Sequence, residues 1–309
     1  MTHPTEQGTQ LEIALARGEF VLTAEVTPPA TVRRADVVSK GLPLKGLAHA
    51  VNVTDGAGAK AHLAPVTAAA MLLEAGVEPV LQLVCRDRNR IALQSELMAA
   101  ASLGIRNLLL LRGDDPTAGD QPEAKGVFDL DARSLIATAA RMRDRGELPT
   151  GTKLASAPRF FIGAADMPVD PQPGWKAQGL AAKIEAGAQF AQTQFCMDAG
   201  LVRRYVARLA QDGIAGGFHM LIGVALLRSA GSAQWIRHHL PGAIVPDAVI
   251  ERMGGARDPV AEGCRLCLDI IRELAGIRGV AGVHVMAPGN EAALPGLLAK
   301  ARNLQLKRA

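Results

Sequence analysis

One carboxylate in this 309-residue chain stands out by its surroundings: Glu25 interrupts the apolar run from Phe20 to Thr27. An ionised, unpaired carboxylate in such a strand is costly, so burial favours the protonated form, the form a general acid needs. The structural alternative is an ion pair with an arginine inside the fold. Other apolar runs also end in polar residues. Asn52, Thr54 and Asp55 close the second, Gln82, Arg86 and Asp87 the third, Arg112, Gly113 and Asp114 the fourth, and Gln192, Thr193 and Gln194 lie in the sixth. Arg112-Gly-Asp114 can also be a tight turn with a local ion pair. Gln192 and Gln194, two apart, share one face of a strand and can equally form a structural polar ladder. Weaker signals have plain readings. Cys264 and Cys267 lack the second ligand pair of a thiolate metal site and suit one helix face, so no metal is expected. His238 and His239 fall late in a helix, where cations favour the dipole. Gly56-Ala-Gly58 lacks the spacing of a dinucleotide fingerprint.

These residues need elements to hold them. Strand-length apolar runs recur at Phe20 to Thr27, His49 to Thr54, Pro79 to Cys85, Asn107 to Arg112, Phe160 to Ala165, Phe190 to Cys196, His219 to Ala225 and Val283 to Ala287. Helical stretches lie between them, among them Arg88 to Leu103, Asp131 to Arg145, Trp175 to Gly187, Leu201 to Asp212 and Pro259 to Leu274. Gly76, Gly104, Gly187 and Gly213 sit where such helices must stop. Strict alternation implies a parallel sheet with right-handed crossovers, and eight units close a (β/α)8 TIM barrel. A single barrel domain over residues 1–309 is expected, with residues 1–18 as an N-terminal helix or arm. Two long loops, Gly113 to Asp129 and Pro168 to Gly174, follow strands and therefore belong to the catalytic face. Residues 240–258 read as an inserted short helix and connector.

Composition narrows the function classes. Aromatic residues make up only 3% of the chain, which argues against a base-stacking nucleic-acid platform. The formal charge of +4 comes from interspersed Lys, Arg, Asp and Glu, with only the tail ending Lys307-Arg308 concentrating one sign. Four cysteines make no disulfide framework, and no apolar run suits a signal peptide or a membrane span. The expectation is a cytoplasmic protein with no nucleic-acid or membrane partner.

With these residues assembled, the chain resembles the flavin-dependent methylenetetrahydrofolate reductase family. The resemblance rests on Thr23-Ala-Glu-Val-Thr-Pro-Pro29, Val51-Asn-Val-Thr-Asp-Gly56, Leu109-Leu-Leu-Arg-Gly-Asp114, Lys183-Ile-Glu-Ala-Gly-Ala188 and Gln192-Thr-Gln-Phe195 followed by Asp198, in family order from residue 20 to about 300. It implies FAD as cofactor, a folate substrate and NADH or NADPH as electron donor. By the same resemblance Glu25 is the proton donor and, with Asp114, the catalytic pair. Thr54, Gln82, Arg112, Gly113, Asp114 and Lys183 then hold the flavin, and Gln194 with Glu25 meets the folate. A homo-oligomer is expected, with a partner subunit as a further possibility. Two other readings stay open: a paralogue running the interconversion oxidatively, and a non-catalytic barrel that binds a partner protein. The chain departs from relatives after the fifth strand, where Gly163-Ala-Ala-Asp-Met-Pro168 lacks their flavin-packing Tyr and His. It also departs at Gln82, where many relatives carry His, and at Cys85-Arg-Asp-Arg-Asn-Arg90.

Overall fold

The computed structural model describes residues 8–214, 217–306 and 308–309. In chain order the elements are α1 (Gln10–Ala16), β1 (Val21–Val26), α2 (Arg34–Gly41), β2 (Ala50–Val53), α3 (Pro65–Glu74), β3 (Pro79–Val84), α4 (Arg90–Ser102), β4 (Asn107–Leu111), α5 (Ala132–Arg145), β5 (Phe161–Asp166), α6 (Gln178–Glu185), β6 (Phe190–Phe195), α7 (Ala199–Gln211), β7 (His219–Ala225), α8 (Ala230–His239), α9 (Asp247–Gly254), α10 (Pro259–Ala275), β8 (Val280–Met286) and α11 (Leu294–Arg302). The eight strands form a closed, all-parallel barrel in sequential order, completed by β8 pairing with β1. The expected (β/α)8 architecture is present.

Seven strands fall within about a residue of their expected bounds, because a continuous run of buried Val, Leu, Ile and Ala is the signature of a strand covered on both faces. The eighth begins three residues earlier than expected, at Val280 rather than Val283, since Gly279 (φ 100°) and Gly282 broke the apolar run in sequence without breaking the strand. Helix stops behave as the sequence implies: Gly76, Gly104, Gly187 and Gly213 all have positive φ. Between β7 and α10 the expected insertion holds α9, and Ile244 pairs with Cys196 just beyond β6.

The barrel interior is built in layers. Its lower layer is apolar, with Val21, Ala50, Val80, Leu109, Phe161, Phe190, Leu221 and Ala281 packed around Leu11, Ala14 and Leu15 of α1. Helix α1 is thus a plug in the N-terminal end of the barrel. Thr9 and Glu12 form its capping box, and Glu78 accepts the N–H groups of Gln10 (2.7 Å) and Leu11 (2.9 Å). This helix realises part of the N-terminal segment expected over residues 1–18; residues 1–7 lie outside the described set. The strand period of two carries the inward face upward from Val21 to Thr23 to Glu25, so a plugged apolar base lifts the polar residues toward the open mouth.

Helix α10 reaches the barrel wall through Gly263, where an added Cβ would lie 1.9 Å from the Leu227 carbonyl oxygen. Backbone cannot yield as a side chain does. Gly263→Ala is expected to destabilise the fold by about 1–3 kcal/mol in urea unfolding, and an unchanged midpoint would show that α10 packs less closely than described.

Candidate active site

Glu25 ends the inward face of β1 with its side chain 25% exposed, open enough to meet a ligand. Its Oε2 lies 3.5 Å from Nε2 of His284, whose own side chain is only 4% exposed. The ion-pair alternative therefore takes a histidine rather than an arginine. On the other ring edge, His284 Nδ1 is 3.0 Å from Thr23 Oγ1. The Thr23 hydroxyl donates to the Val283 carbonyl (3.3 Å) and accepts from Gln192 Nε2 (3.2 Å). A hydroxyl has one proton and two lone pairs, so all three contacts are satisfied together when Nδ1–H donates to Thr23. Nε2 then faces Glu25 as the site that gives or takes a proton.

Beneath this pair, Gln192 and Asn52 exchange amide bonds: Asn52 Nδ2 donates to Gln192 Oε1 (2.6 Å), and Gln192 Nε2 donates to Asn52 Oδ1 (3.1 Å). Both are fully buried across the barrel. Gln192 thus follows the ladder reading, whereas Gln194 separates from it. The β6–β7 register shifts between Gln192 and Phe195, with the Thr193 hydroxyl accepting the Gly223 N–H (2.8 Å). This irregularity at the strand end leaves Gln194 at the rim. There its amide donates to the Pro241 carbonyl (3.3 Å) and accepts from Phe195 N (3.0 Å).

The β2 to β4 rim is a belt of fixed charges. Asp55, buried, accepts the Val84 N–H (2.9 Å) and a two-point bond from Arg88 (2.7 and 3.2 Å). Arg86, also buried, is clamped to Asp87 and donates to the Gly56 carbonyl (3.2 Å). Thr54 is buried against Thr27 (3.3 Å), and Gln82 is buried in β3. Gly113 has φ 86°, and a Cβ there would meet Val84 and Arg86 at 3.0 Å, so both conformation and space require glycine. Arg112 makes no ion pair with Asp114; its guanidinium lies 4.3 Å over the Phe128 ring and is otherwise exposed. Asp114 is exposed as well: the loop from Gly113 to Asp129 returns to the residues just after β3, where Val127 and Phe128 donate to the Arg86 and Cys85 carbonyls, and leaves Asp114 in solvent.

At the end of β5, where the stacking aromatic is missing, Asp166 takes the position. Tyr205 donates to its Oδ2 (2.5 Å), while Lys183 of α6 donates to the adjacent Ala165 carbonyl (2.7 Å). Burial raises the Asp166 carboxyl above its ordinary value, against the lowering effects of Tyr205 and Lys183. The Tyr205 hydroxyl is pushed up by burial and by the facing carboxylate.

Three contributors escaped the sequence reading: His284, Thr23 as a hydrogen-bonding residue, and Asp166. The filter of polar residues in apolar strands would have found His284 had the last strand been drawn from Val280. Drawn from Val283, it put His284 near the strand's beginning rather than toward its upper end.

Closed parallel barrels that gather titratable groups at the upper strand ends form a class of catalytic scaffold, and fold and rim place this chain in it. Residues 10–302 match the family model described as methylenetetrahydrofolate reductase, and the chain belongs to that family. A protein of Caenorhabditis elegans named "Probable methylenetetrahydrofolate reductase (NADPH)" is 28% identical over 216 residues, a match spanning 65% of this chain and 30% of the worm protein. Among solved structures, a Clostridium thermocellum protein described as binding two copies of 5-methyl-5,6,7,8-tetrahydrofolic acid superposes with TM-score 0.64 at 11% identity, covering 96% of this chain and 99% of that one. DmoA from Hyphomicrobium sulfonivorans gives 0.56 at 11% identity, over 94% and 89% of the two chains. At such identities the structural likenesses speak for the fold.

Folding raises the Asp166 pKa above the ordinary 3.8, so the folded chain holds that proton more tightly than the unfolded chain does. As pH rises from that value through the raised one, the unfolded state ionises first and Asp166 costs stability progressively. Asp166→Asn keeps an acceptor for Tyr205 without the charge. Its stability relative to the parent is therefore expected to grow as pH rises through this window, and parallel urea-stability curves for the two proteins would contradict the assignment.

Proposed function

We propose that this chain interconverts 5,10-methylenetetrahydrofolate and 5-methyltetrahydrofolate, with Glu25 as the proton donor. The carrying observation is the Glu25–His284 contact at the barrel mouth. A mobile proton there meets what the reaction requires, because the bridged folate nitrogen must be protonated before its five-membered ring opens to the cationic iminium that accepts hydride. His284, its Nδ1–H held by Thr23, turns a free Nε2 lone pair toward Glu25 and so favours the protonated acid before the step, and Glu25, 25% exposed at the mouth, regains its proton from solvent for the next turnover.

The rim suits FAD at its phosphate end. Arg112 is stacked on Phe128 with no described carboxylate holding its donors, which fits a diphosphate. Gly113 brings bare backbone to the same edge, and Lys183 keeps two ammonium protons beyond the one given to Ala165. Thr54 and Gln82 would line the β2 and β3 side. When bound, FAD supplies the hydride chemistry, with NADH or NADPH as the source. On the β5 side, where relatives are expected to offer an aromatic surface, Asp166 and Tyr205 would offer polar contacts to the ring.

Asp114 would favour the cationic iminium by its charge, an effect that grows only as bound substrate displaces the water around it. Gln194 would meet the pterin by exchanging its bond to the Pro241 carbonyl for one to the folate.

Purified protein reconstituted with FAD is expected to be yellow and to bleach anaerobically with NADH or NADPH. Glu25→Gln should lower the folate half-reaction by about 10²–10⁴-fold while leaving reduction of the flavin by nicotinamide nearly intact. Stopped-flow measurement of the two half-reactions separates them, and equal loss of both would show that Glu25 supports the fold or the cofactor instead.

A further inference from the structure

At the opposite end of the barrel a cavity of about 450 Å³ opens between the lower ends of β1 and β2 and the segment that follows α11. Its polar lining is lopsided. Arg17, His49, Arg302 and Arg308 face a single carboxylate, Glu19. Elsewhere many arginines bond a carboxylate directly, as Arg34 does Glu74, Arg90 Asp129, Arg204 Asp170 and Arg252 Glu262. Here Glu19 stays 3.9 Å from both Arg17 and His49, beyond hydrogen-bond reach. Arg302 has only a 3.4 Å contact to the Leu47 carbonyl. Arg308 is half-buried with no bond or ion pair to a described residue, and burial alone lowers its pKa.

His49 adds a neutral donor. The Leu22 N–H donates to His49 Nδ1 (3.0 Å), a nitrogen that also lies 3.3 Å from the Leu22 carbonyl; in the tautomer that the shorter contact selects, the imidazole proton is on Nε2, the nitrogen beside Glu19. Burial first, and Arg302 after it, lower the His49 pKa against the raising effects of the Leu22 backbone and Glu19, and in this tautomer the neutral ring donates from Nε2. Three arginines and the His49 ring therefore line a concave space that also includes the buried Phe20 and Leu22, with Arg17 and Arg302 exposed at its edge and Arg308 half-buried. Donors without acceptors, beside an apolar lining, describe a receptor for an oxyanion carried on a small organic body.

We infer that this cavity binds a phosphate-bearing small molecule, independently of the folate site on the other face. Glu19 competes with the ligand for the arginines, and the phosphate ties Arg302 and Arg308, from the end of the chain, to the base of β1 and β2.

The test is calorimetric titration of the full chain, its mouth first saturated with FAD, with inorganic pyrophosphate and with AMP, against sodium chloride at matched ionic strength. Saturable binding of pyrophosphate is expected, with a rise in thermal midpoint. AMP binding as well would show that the apolar lining accepts a ring, and pyrophosphate binding alone would identify the phosphate as the recognised part. Arg302→Gln and Arg308→Gln, each losing charged donors at the surface, should weaken binding at least about tenfold, and Glu19→Gln should tighten it. Binding that responds to Arg112→Gln and not to Arg302→Gln or Arg308→Gln would belong to the mouth and would overturn the assignment to this cavity. No saturable binding in the parent, or binding indifferent to Arg302, Arg308 and Glu19, would overturn the inference without touching the folate reading.

Discussion

The barrel closes where β1 pairs with β8, and Thr23 lies opposite His284 in that register. Residues 261 positions apart thereby become neighbours, and the acid two residues beyond Thr23 acquires a ring nitrogen 3.5 Å away. A slip of one residue in β8 would turn His284 out of the interior and leave Glu25 facing apolar wall. The ladder that gives the barrel its closure is also what sets an isolated carboxylate beside an imidazole nitrogen.

Layering follows from the same constraint. Below Thr23 the interior is filled by Phe161 stacked on Phe190 at 4.9 Å and by the side chains of α1, so no water column enters from beneath. Above it, Asn52 and Gln192 satisfy each other inside the cylinder, which lets polar groups be buried at little cost. The mouth then carries groups with spare valence: Glu25, Arg112 and Lys183. Fixed ion pairs such as Asp55 with Arg88 surround them and hold the β2 and β3 loops in place. Spare valence at the mouth and saturated bonds below separate the groups free to meet a ligand from those that hold the fold.

Asp166 shows how one substitution changes the chemistry of a shared scaffold. At the end of β5, where the resemblance leads one to expect an aromatic, the chain has a half-buried carboxylate held by its only tyrosine. The end of β5 is therefore polar and hydrogen-bonded, through Tyr205 to Asp166 and Lys183 to the Ala165 carbonyl.

The sequence by itself determined the eight strands, most helix stops and the candidate acid, because these follow from local periodicity, glycine conformations and a charge placed among apolar neighbours. Glu25, Thr54, Gln82, Arg112, Gly113 and Lys183 all lie at or beside the mouth for that reason. Only the tertiary structure decided partners. The His284 contact depends on β1 meeting β8, the exposure of Asp114 on how a loop returns to the end of β3, and the parting of Gln194 from Gln192 on a register shift against β7. Each joins segments distant in the chain, and period-two patterning says which way a side chain points but not what stands opposite.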